Sequence, residues 1–118
     1  MPRFAIVRHD HPRPHLDLFL EAGPVLRSWR FPFSFVPGES FAIEPAPDHR
    51  LLYLDYEGPV SNDRGTVVKV DSGEFEWIRD DSQQLILVLR GAIYSGRLTI
   101  SSLPQNNLVA RFDSNSFS

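Results

Sequence analysis

Ten prolines and seven glycines divide this 118-residue chain into short apolar segments, and strands that recur every 8–12 residues or so are typical of an all-β sandwich or barrel. No segment carries the apolar stripe of an amphipathic helix. The sequence therefore predicts an all-β, mainly antiparallel fold. About eight strands in a chain of this length favour a small closed or nearly closed barrel with little helix.

Alternation of apolar and polar residues identifies the individual strands, because successive side chains of a strand point to opposite faces. The clearest case is "HLDLFLEA" (15–22), in which leucine occupies every second position. Further strands are predicted at 4–10, 25–31, 40–44 and 50–58, followed by hairpins at 65–78 and 84–103. Asp71-Ser72-Gly73 is expected to form the turn of the first hairpin.

The polar stretch after Pro104 marks the expected end of the barrel. We predict a single domain at 1–103, followed by a C-terminal tail at 104–118 that is docked on the surface or partly disordered. Phe112 and Phe117 are the isolated apolar anchors of this tail.

Composition limits the classes of function that this chain can have. There is no apolar run of about eighteen residues and no secretory signal, so we expect a cytoplasmic protein without membrane association. Cysteine is absent, and any metal must therefore be bound by nitrogen and oxygen. The net charge of −3 argues against a protein that coats nucleic acid non-specifically.

Three of the four histidines lie in "HDHPRPH" (9–15), and Asp17 follows them closely. His15 and Asp17 are two apart on a predicted strand, so their side chains share a face with Cβ atoms about 7 Å apart and can reach one ion. His9 ends the preceding strand and can join them across the turn. This set suits a catalytic Mn²⁺, Fe²⁺ or Zn²⁺ site. An exposed polar face has the same pattern, and His11 is expected to be solvated.

The fourth histidine lies in "DHRLLYLDYEG" (48–58), where His49, Tyr53 and Asp55 share one face of a predicted strand. A face with these groups cannot consist entirely of dry core. If it lines a polar pocket, His49 and Tyr53 are candidates for phosphate contacts or acid–base chemistry. The alternatives are half-buried packing for Tyr53 and a turn cap for Asp55.

Four segments, in order, resemble signatures of the 3′-phosphoesterase domain family of bacterial DNA ligase D. "HDHPRPHLDLFLEAGPVLRSW" (9–29) is similar to the opening signature, and "PDHRLLYLDYEG" (47–58) to the second. "GTVVKVDSG" (65–73) and "LVLRGAIYSGRLTI" (87–100) look like two hairpins of the family. The resemblance spans residues 4–103.

The resemblance implies a compact β-barrel that acts as an Mn²⁺-dependent phosphoesterase. Its substrates would be the 3′ ends of DNA or RNA, as primer-template or duplex ends, from which the family removes terminal ribonucleosides and phosphates in the repair of double-strand breaks. By position, His9, His15 and Asp17 match the metal ligands, with Zn²⁺ or Co²⁺ as alternatives to Mn²⁺. His49 and Tyr53 match groups that contact the scissile phosphate. A separate ligase, polymerase or end-binding repair protein is the expected partner in non-homologous end joining.

This chain departs from the family pattern at positions that the family uses for phosphate. Phe19 replaces an arginine and cannot donate hydrogen bonds to phosphate or stabilise developing negative charge. Pro47 replaces an acidic residue, and "FPFSF" (31–35) replaces a basic segment. Arg27, which matches a family lysine, and Arg50 are the candidates to supply the missing positive charge.

These departures leave three hypotheses. The chain is a metal-dependent phosphoesterase that processes 3′ ends, which we favour. Alternatively, it is a catalytically weakened relative that binds metal and nucleic-acid ends, or a repair partner, without efficient hydrolysis. The third hypothesis is hydrolysis of another small phosphoester, with Phe19 making the pocket more apolar.

Overall fold

The computed structural model describes residues 1–114, which form nine strands and two short 3-10 turns. In chain order, these elements are β1 (Arg3–His9), β2 (His15–Ala22), β3 (Val25–Phe31), β4 (Ser40–Arg50), a first turn (Leu51–Leu54), β5 (Gly58–Pro59), β6 (Thr66–Asp80), β7 (Gln84–Gly91), β8 (Ser95–Leu103), a second turn (Pro104–Asn106) and β9 (Asn107–Ser114). Neither turn, the only helical elements within residues 1–114, is long and apolar enough to cross a membrane.

Eight strands close into an antiparallel barrel in the order β1-β2-β3-β4-β9-β8-β7-β6, and β6 pairs back with β1. The two residues of β5 pair with the start of β6 outside this ring. The closed barrel confirms the predicted fold class. Closure also removes the free sheet edges that would otherwise expose unpaired backbone groups.

Alternate side chains of the strands fill the interior of the barrel. Large interior side chains that are at most 1% exposed include Phe4, Leu18, Phe75, Leu87 and Leu98. Burial of a side chain of this size removes enough apolar surface from water to stabilise the fold by about 1.5–3 kcal/mol. The interior is therefore a dry core, and the polar groups of β1 and β2 must lie on the outer face.

A second apolar cluster covers part of the outer face of β1, β2 and β3. Its members are buried residues of several elements: Ala5, Val7, Phe19, Leu26, Leu54 and Val67. The first 3-10 turn contributes Leu54, which is 3% exposed. Because this turn packs on the outside, β1 and β2 are buried on both faces along much of their length.

The strand predicted at 50–58 is wrong, because Leu51–Leu54 forms the first 3-10 turn. At its end, Asp55 Oδ1 accepts a hydrogen bond from Nη2 of Arg3 at 2.6 Å. This bond holds the pKa of the Asp55 carboxyl below its usual value. The apolar residues at 51–54 are compatible both with a strand and with a turn that buries one leucine. The apolar pattern alone therefore could not distinguish a strand from a 3-10 turn.

The hairpin predicted at 65–78 is also wrong, because β6 runs through this segment without a turn. Its first part pairs with β1 and its last part with β7. Asp71, which is 5% exposed, accepts hydrogen bonds from the backbone N–H groups of Ala92, Ile93 and Tyr94 at 3.0, 3.1 and 2.7 Å. Its carboxylate thus organises the turn of the β7–β8 hairpin, which was predicted correctly.

The prediction of a docked or disordered tail at 104–118 needs correction. Residues 107–114 form β9, which pairs with both β4 and β8. Phe112 is 2% exposed in the interior rather than a surface anchor. Phe117 lies outside the described residues. The segment "NLVARFDS" is short and largely polar, so its sequence alone does not identify a strand. It joins the sheet through pairing with strands that are distant in sequence.

If β9 is an integral strand, Phe112→Ala will lower the free energy of unfolding by about 3–5 kcal/mol, because it opens a cavity in the core. Arg111→Ala is the matched control on the outer face, where its ion pair with Asp113 is worth about 1 kcal/mol at most. Urea unfolding followed by circular dichroism measures both values. Equal small effects would mean that the segment is only docked on the surface.

Asp71→Ala is expected to destabilise the barrel by about 1–3 kcal/mol, because it leaves the N–H groups of the β7–β8 turn without their acceptor. Glu76→Gln serves as the control, since Glu76 is half exposed and forms a surface ion pair with Arg90. Its effect should stay within about 0.5 kcal/mol. An Asp71 variant as stable as the Glu76 variant would contradict the role assigned to Asp71.

Candidate metal centre

The pairing of β1 with β2 brings three ligand side chains together on the outer face of the barrel. His9 lies directly opposite His15 in the antiparallel register, and Asp17 follows two residues later on the same face of β2. One ligand atom from each residue lies within 4.8 Å of the other two. The predicted convergence of these three residues is therefore present.

Backbone carbonyl groups fix the orientation of both imidazoles. His9 donates from Nε2 to the carbonyl of Arg64 at 2.7 Å, and His15 donates from Nδ1 to the carbonyl of Arg13 at 2.8 Å. A carbonyl only accepts, so the other ring nitrogen of each neutral imidazole carries a lone pair. These atoms, Nδ1 of His9 and Nε2 of His15, lie 3.6 and 3.2 Å from carboxylate oxygens of Asp17.

The three side chains fit a metal because they place only acceptors around one point. Nε2 of His15 is buried and has no hydrogen-bond partner within residues 1–114; the 3.2 Å approach to Asp17 does not have hydrogen-bond geometry. Two nitrogen lone pairs and a carboxylate suit a divalent transition metal with open coordination positions. The carbonyls that hold the imidazoles are the outer-shell partners that such sites use.

The loop before β6 docks on the β1–β2 loop and completes this support. The backbone N–H of Thr66 donates to Oδ1 of Asp10 at 2.7 Å. Gly65 has a φ of +80°, and a Cβ at this position would overlap the Asp10 carboxylate and contact His11. Glycine therefore permits the close approach that carries the carbonyl of Arg64 to His9.

A pocket of about 380 Å³ opens beside the candidate metal centre and is lined by His9 and Asp17, whereas His15 borders a second cavity. Apolar walls come from Phe19, Pro47, Val60 and Val67. The polar groups that line it include His9, His11, Asp17, Arg30, Asp48, His49, Tyr53 and Arg64. The site thus combines a candidate metal centre with an apolar surface and several cationic or proton-carrying groups.

His49 and Tyr53 meet in this pocket, although not on one strand as predicted. His49 lies near the end of β4, and Tyr53 is carried by the first 3-10 turn. Their ring centroids are 5.7 Å apart. Nδ1 of His49 donates to the carbonyl of Pro47 at 2.8 Å, which leaves Nε2 as the nitrogen that can accept a proton.

Phe19 supports His49 rather than facing open solvent. Its side chain is 2% exposed and belongs to the second apolar cluster. The Phe19 ring lies 4.9 Å from the His49 ring and 6.4 Å from the Tyr53 ring, measured between centroids. Aromatic pairs at these distances attract one another, so Phe19 restricts the orientation of the histidine.

Neither arginine proposed to supply the missing charge lines the pocket. Arg27 lies between the rings of Trp29 and Trp77, at 5.3 and 5.1 Å from their centroids, and pairs with Asp80 at 3.1 Å. Trp29 points into the barrel, and Arg27, two residues away on β3, shares that face. Arg50 is exposed at the end of β4.

Two other arginines, Arg30 and Arg64, line the pocket and were missed by the sequence interpretation. Arg30 lies opposite Asp17 in the β2–β3 pairing. The sequence could have indicated Arg30, because it follows Arg27 by three residues in "RSWR" and so lies on the opposite face of the strand. Arg64 follows a loop with no periodic pattern, so nothing in its sequence surroundings linked it to His9. His11, expected to be solvated, is exposed at the pocket.

Comparison with known proteins agrees with the resemblance. Residues 7–102 match the family described as the DNA Ligase D 3′-phosphoesterase domain. The multifunctional non-homologous end joining DNA repair protein LigD of Mycobacterium tuberculosis H37Rv is 35% identical over 107 residues, covering 82% of this chain and 14% of that protein. The corresponding protein of Mycobacterium bovis has the same identity and coverage. The chain thus spans 14% of the length of these curated relatives.

Replacement of one ligand separates a metal centre from a polar surface patch. His15→Ala is expected to weaken Mn²⁺ binding by at least about 10-fold, since even the loss of an outer-shell partner costs about 10–100-fold. His11→Ala is the matched control, because His11 lines the pocket outside the three-ligand set. Isothermal titration with Mn²⁺ compares the affinities, and circular dichroism checks the fold. Equal affinities in both variants would exclude His15 as a ligand.

Proposed function

This chain belongs to the DNA ligase D 3′-phosphoesterase domain family, and from that premise we propose that it is a metal-dependent phosphoesterase acting on the 3′ ends of nucleic acid. The single observation that carries the proposal is the convergence of two imidazole lone pairs and one carboxylate beside a pocket that holds His49 and Tyr53. The candidate metal ligands and the candidate phosphate-contacting groups are thus neighbours.

His9, His15 and Asp17 would hold the metal, for which Mn²⁺ is our proposal and Zn²⁺ or Co²⁺ are alternatives. A divalent ion bound there supplies Lewis-acid polarisation of a phosphoryl oxygen and a lowered pKa for bound water. The carbonyls of Arg64 and Arg13 each accept from one ring nitrogen and so direct the other ring nitrogen of His9 and His15 at Asp17.

His49 and Tyr53 act on the substrate in this proposal. Nδ1 of His49 keeps its proton and donates a hydrogen bond to the carbonyl of Pro47. Nε2 is therefore the nitrogen that accepts or releases the proton moved in the reaction. The Tyr53 hydroxyl donates a hydrogen bond to a phosphoryl oxygen and opposes the charge that develops there. Phe19 orients the His49 ring and is a positioning residue.

The shape of the pocket supports a terminal nucleotide as the bound group. A volume of about 380 Å³ lies within the range of about 300–1,000 Å³ that small-molecule sites occupy. Its apolar walls suit a nucleoside, and its polar groups suit a phosphate. We propose that the chain removes a 3′-terminal ribonucleoside or a 3′-phosphate. The mycobacterial relatives are named as non-homologous end joining proteins, and we propose end processing in that repair for this chain.

A second candidate function is binding of nucleic-acid ends, or of a repair partner, without efficient hydrolysis. The burial of Phe19 favours it, because an apolar ring takes the position of a charged group in the family. Loss of one group that stabilises the transition state costs about 10²–10³-fold in rate. Such a protein would retain metal and ligand binding while its turnover became slow.

The two candidates are separated by an Mn²⁺ assay on an end-labelled primer-template that carries one 3′-terminal ribonucleotide or a 3′-phosphate. We expect Mn²⁺-dependent release of the terminal group that His15→Ala abolishes. His49→Gln should be slower by about 10²–10⁴-fold, the usual contribution of a proton-transfer group. Phe19→Arg runs in parallel as the variant that restores the family residue.

The controls distinguish hydrolysis by this site from contamination. Chelation of the metal should stop release, and Arg97→Gln should not change it, because Arg97 is exposed on β8, across the barrel from β2. Tight binding of ends without release, combined with release by Phe19→Arg, would support the second candidate. Release that persists in His15→Ala would contradict both.

A further inference from the structure

Arg30 and Arg64 are the two arginines that line the pocket, and within residues 1–114 neither has an acidic partner. Ion pairs with Asp or Glu are made by Arg3, Arg27, Arg79, Arg90 and Arg111. Within residues 1–114, neither Arg30 nor Arg64 lies within 4.0 Å of a carboxylate oxygen. Both line the pocket beside the candidate metal centre. Two unneutralised guanidinium groups in one mostly apolar pocket indicate an anionic ligand.

Arg30 flanks the candidate metal centre on the side of Asp17. The two residues are directly opposite in the antiparallel pairing of β2 with β3, so their side chains lie on the same face. On its other side, Arg30 is paired in register with Glu44 of β4, yet the two side chains make no ion pair. Arg30 also borders a second cavity of about 390 Å³, and it is exposed.

Arg64 flanks the centre on the opposite side, next to His9. Its own carbonyl accepts the hydrogen bond from Nε2 of His9. Its guanidinium donates from Nε to the carbonyl of Ser61 at 2.9 Å and from Nη2 to Oγ of Ser61 at 3.2 Å. These neutral partners hold the side chain in place without cancelling its charge.

We infer that Arg30 and Arg64 form a two-sided clamp for the phosphate group of the substrate, an inference that rests on the proposed function. Strand order places the three ligands between the two arginines, with Arg64 beside β1 and Arg30 on β3. A phosphate at the centre then receives charge-assisted hydrogen bonds from both sides. The clamp supplies the positive charge that Phe19, closed within the second apolar cluster, cannot supply.

The clamp is tested by binding, which is read before the 3′-phosphate is released. Fluorescence anisotropy measures the affinity of Mn²⁺-loaded protein for a labelled single-stranded oligonucleotide with a 3′-phosphate, and for the same oligonucleotide with a 3′-hydroxyl. Arg30→Gln and Arg64→Gln are each expected to weaken binding of the 3′-phosphate form by about 10–100-fold, the equivalent of one hydrogen bond to a charged group. The preference over the 3′-hydroxyl form should shrink accordingly.

Three comparisons isolate charge at the clamp from general effects. Arg97→Gln, which removes an exposed arginine across the barrel, should bind like the parent. Arg30→Lys should recover part of the affinity, because it restores the charge without the bidentate geometry. Mn²⁺ affinity, measured separately, should be unchanged in Arg30→Gln, and Ser61→Ala tests whether the effect of Arg64 comes only from its loop.

Each outcome bears on one of the two proposals. If the parent binds neither form, the proposed function fails. If it binds both forms equally, the clamp for a terminal phosphate is wrong, and the release assay alone decides the proposed function. If the parent has the preference and Arg30→Gln and Arg64→Gln keep it, the clamp is wrong while the proposed function stands. If Ser61→Ala reproduces the whole effect of Arg64→Gln with Mn²⁺ affinity lost, Arg64 acts by shaping the loop, and the two-sided clamp is overturned.

Discussion

The pairing of β1 with β2 is the interaction on which the rest of the structure depends. Backbone hydrogen bonds between these strands set His9 opposite His15, and the partner of β1 on its other side is β6, which closes the barrel. A slip of one residue in this register would turn the leucines of β2 outward and its ligands inward. Burial of Leu18 and Leu20 in the core therefore also fixes the register that places Asp17 on the outer face.

A second constraint is that β1 and β2 are buried on both faces. The interior face packs in the barrel, and the outer face is covered by the first 3-10 turn through Leu54. The three ligand side chains on these strands are only 7–16% exposed. Limited access to water strengthens electrostatic interactions, so a cluster that would be weak on an open surface becomes suited to hold a cation. The same turn delivers Tyr53 to the pocket.

Two departures from the sequence predictions, at 65–78 and at 104–118, share one physical cause. Asp71-Ser72-Gly73 has the composition of a turn, but all three residues pair with β1, and Gly73 also pairs with Gly91 of β7. The Asp71 carboxylate is used by a turn about twenty residues away. Likewise, β9 joins the sheet because β4 and β8 leave a gap between them that its backbone fills. The turn propensity or polarity of a segment is overridden when neighbouring strands on both sides can form backbone hydrogen bonds with it.

Local alternation was sufficient to predict an all-β barrel and to place His15 and Asp17 on one face, because a period of two holds within any single strand. The same reasoning named His9, His49 and Tyr53 as candidates, and the resemblance of ordered motifs then implied their roles. Only the tertiary structure decided that the carbonyl of Arg64 orients His9, that Arg30 lies beside Asp17 and that Arg27 points elsewhere. These relations join residues that are distant in sequence, and they exist only after strand pairing and barrel closure have brought those residues together.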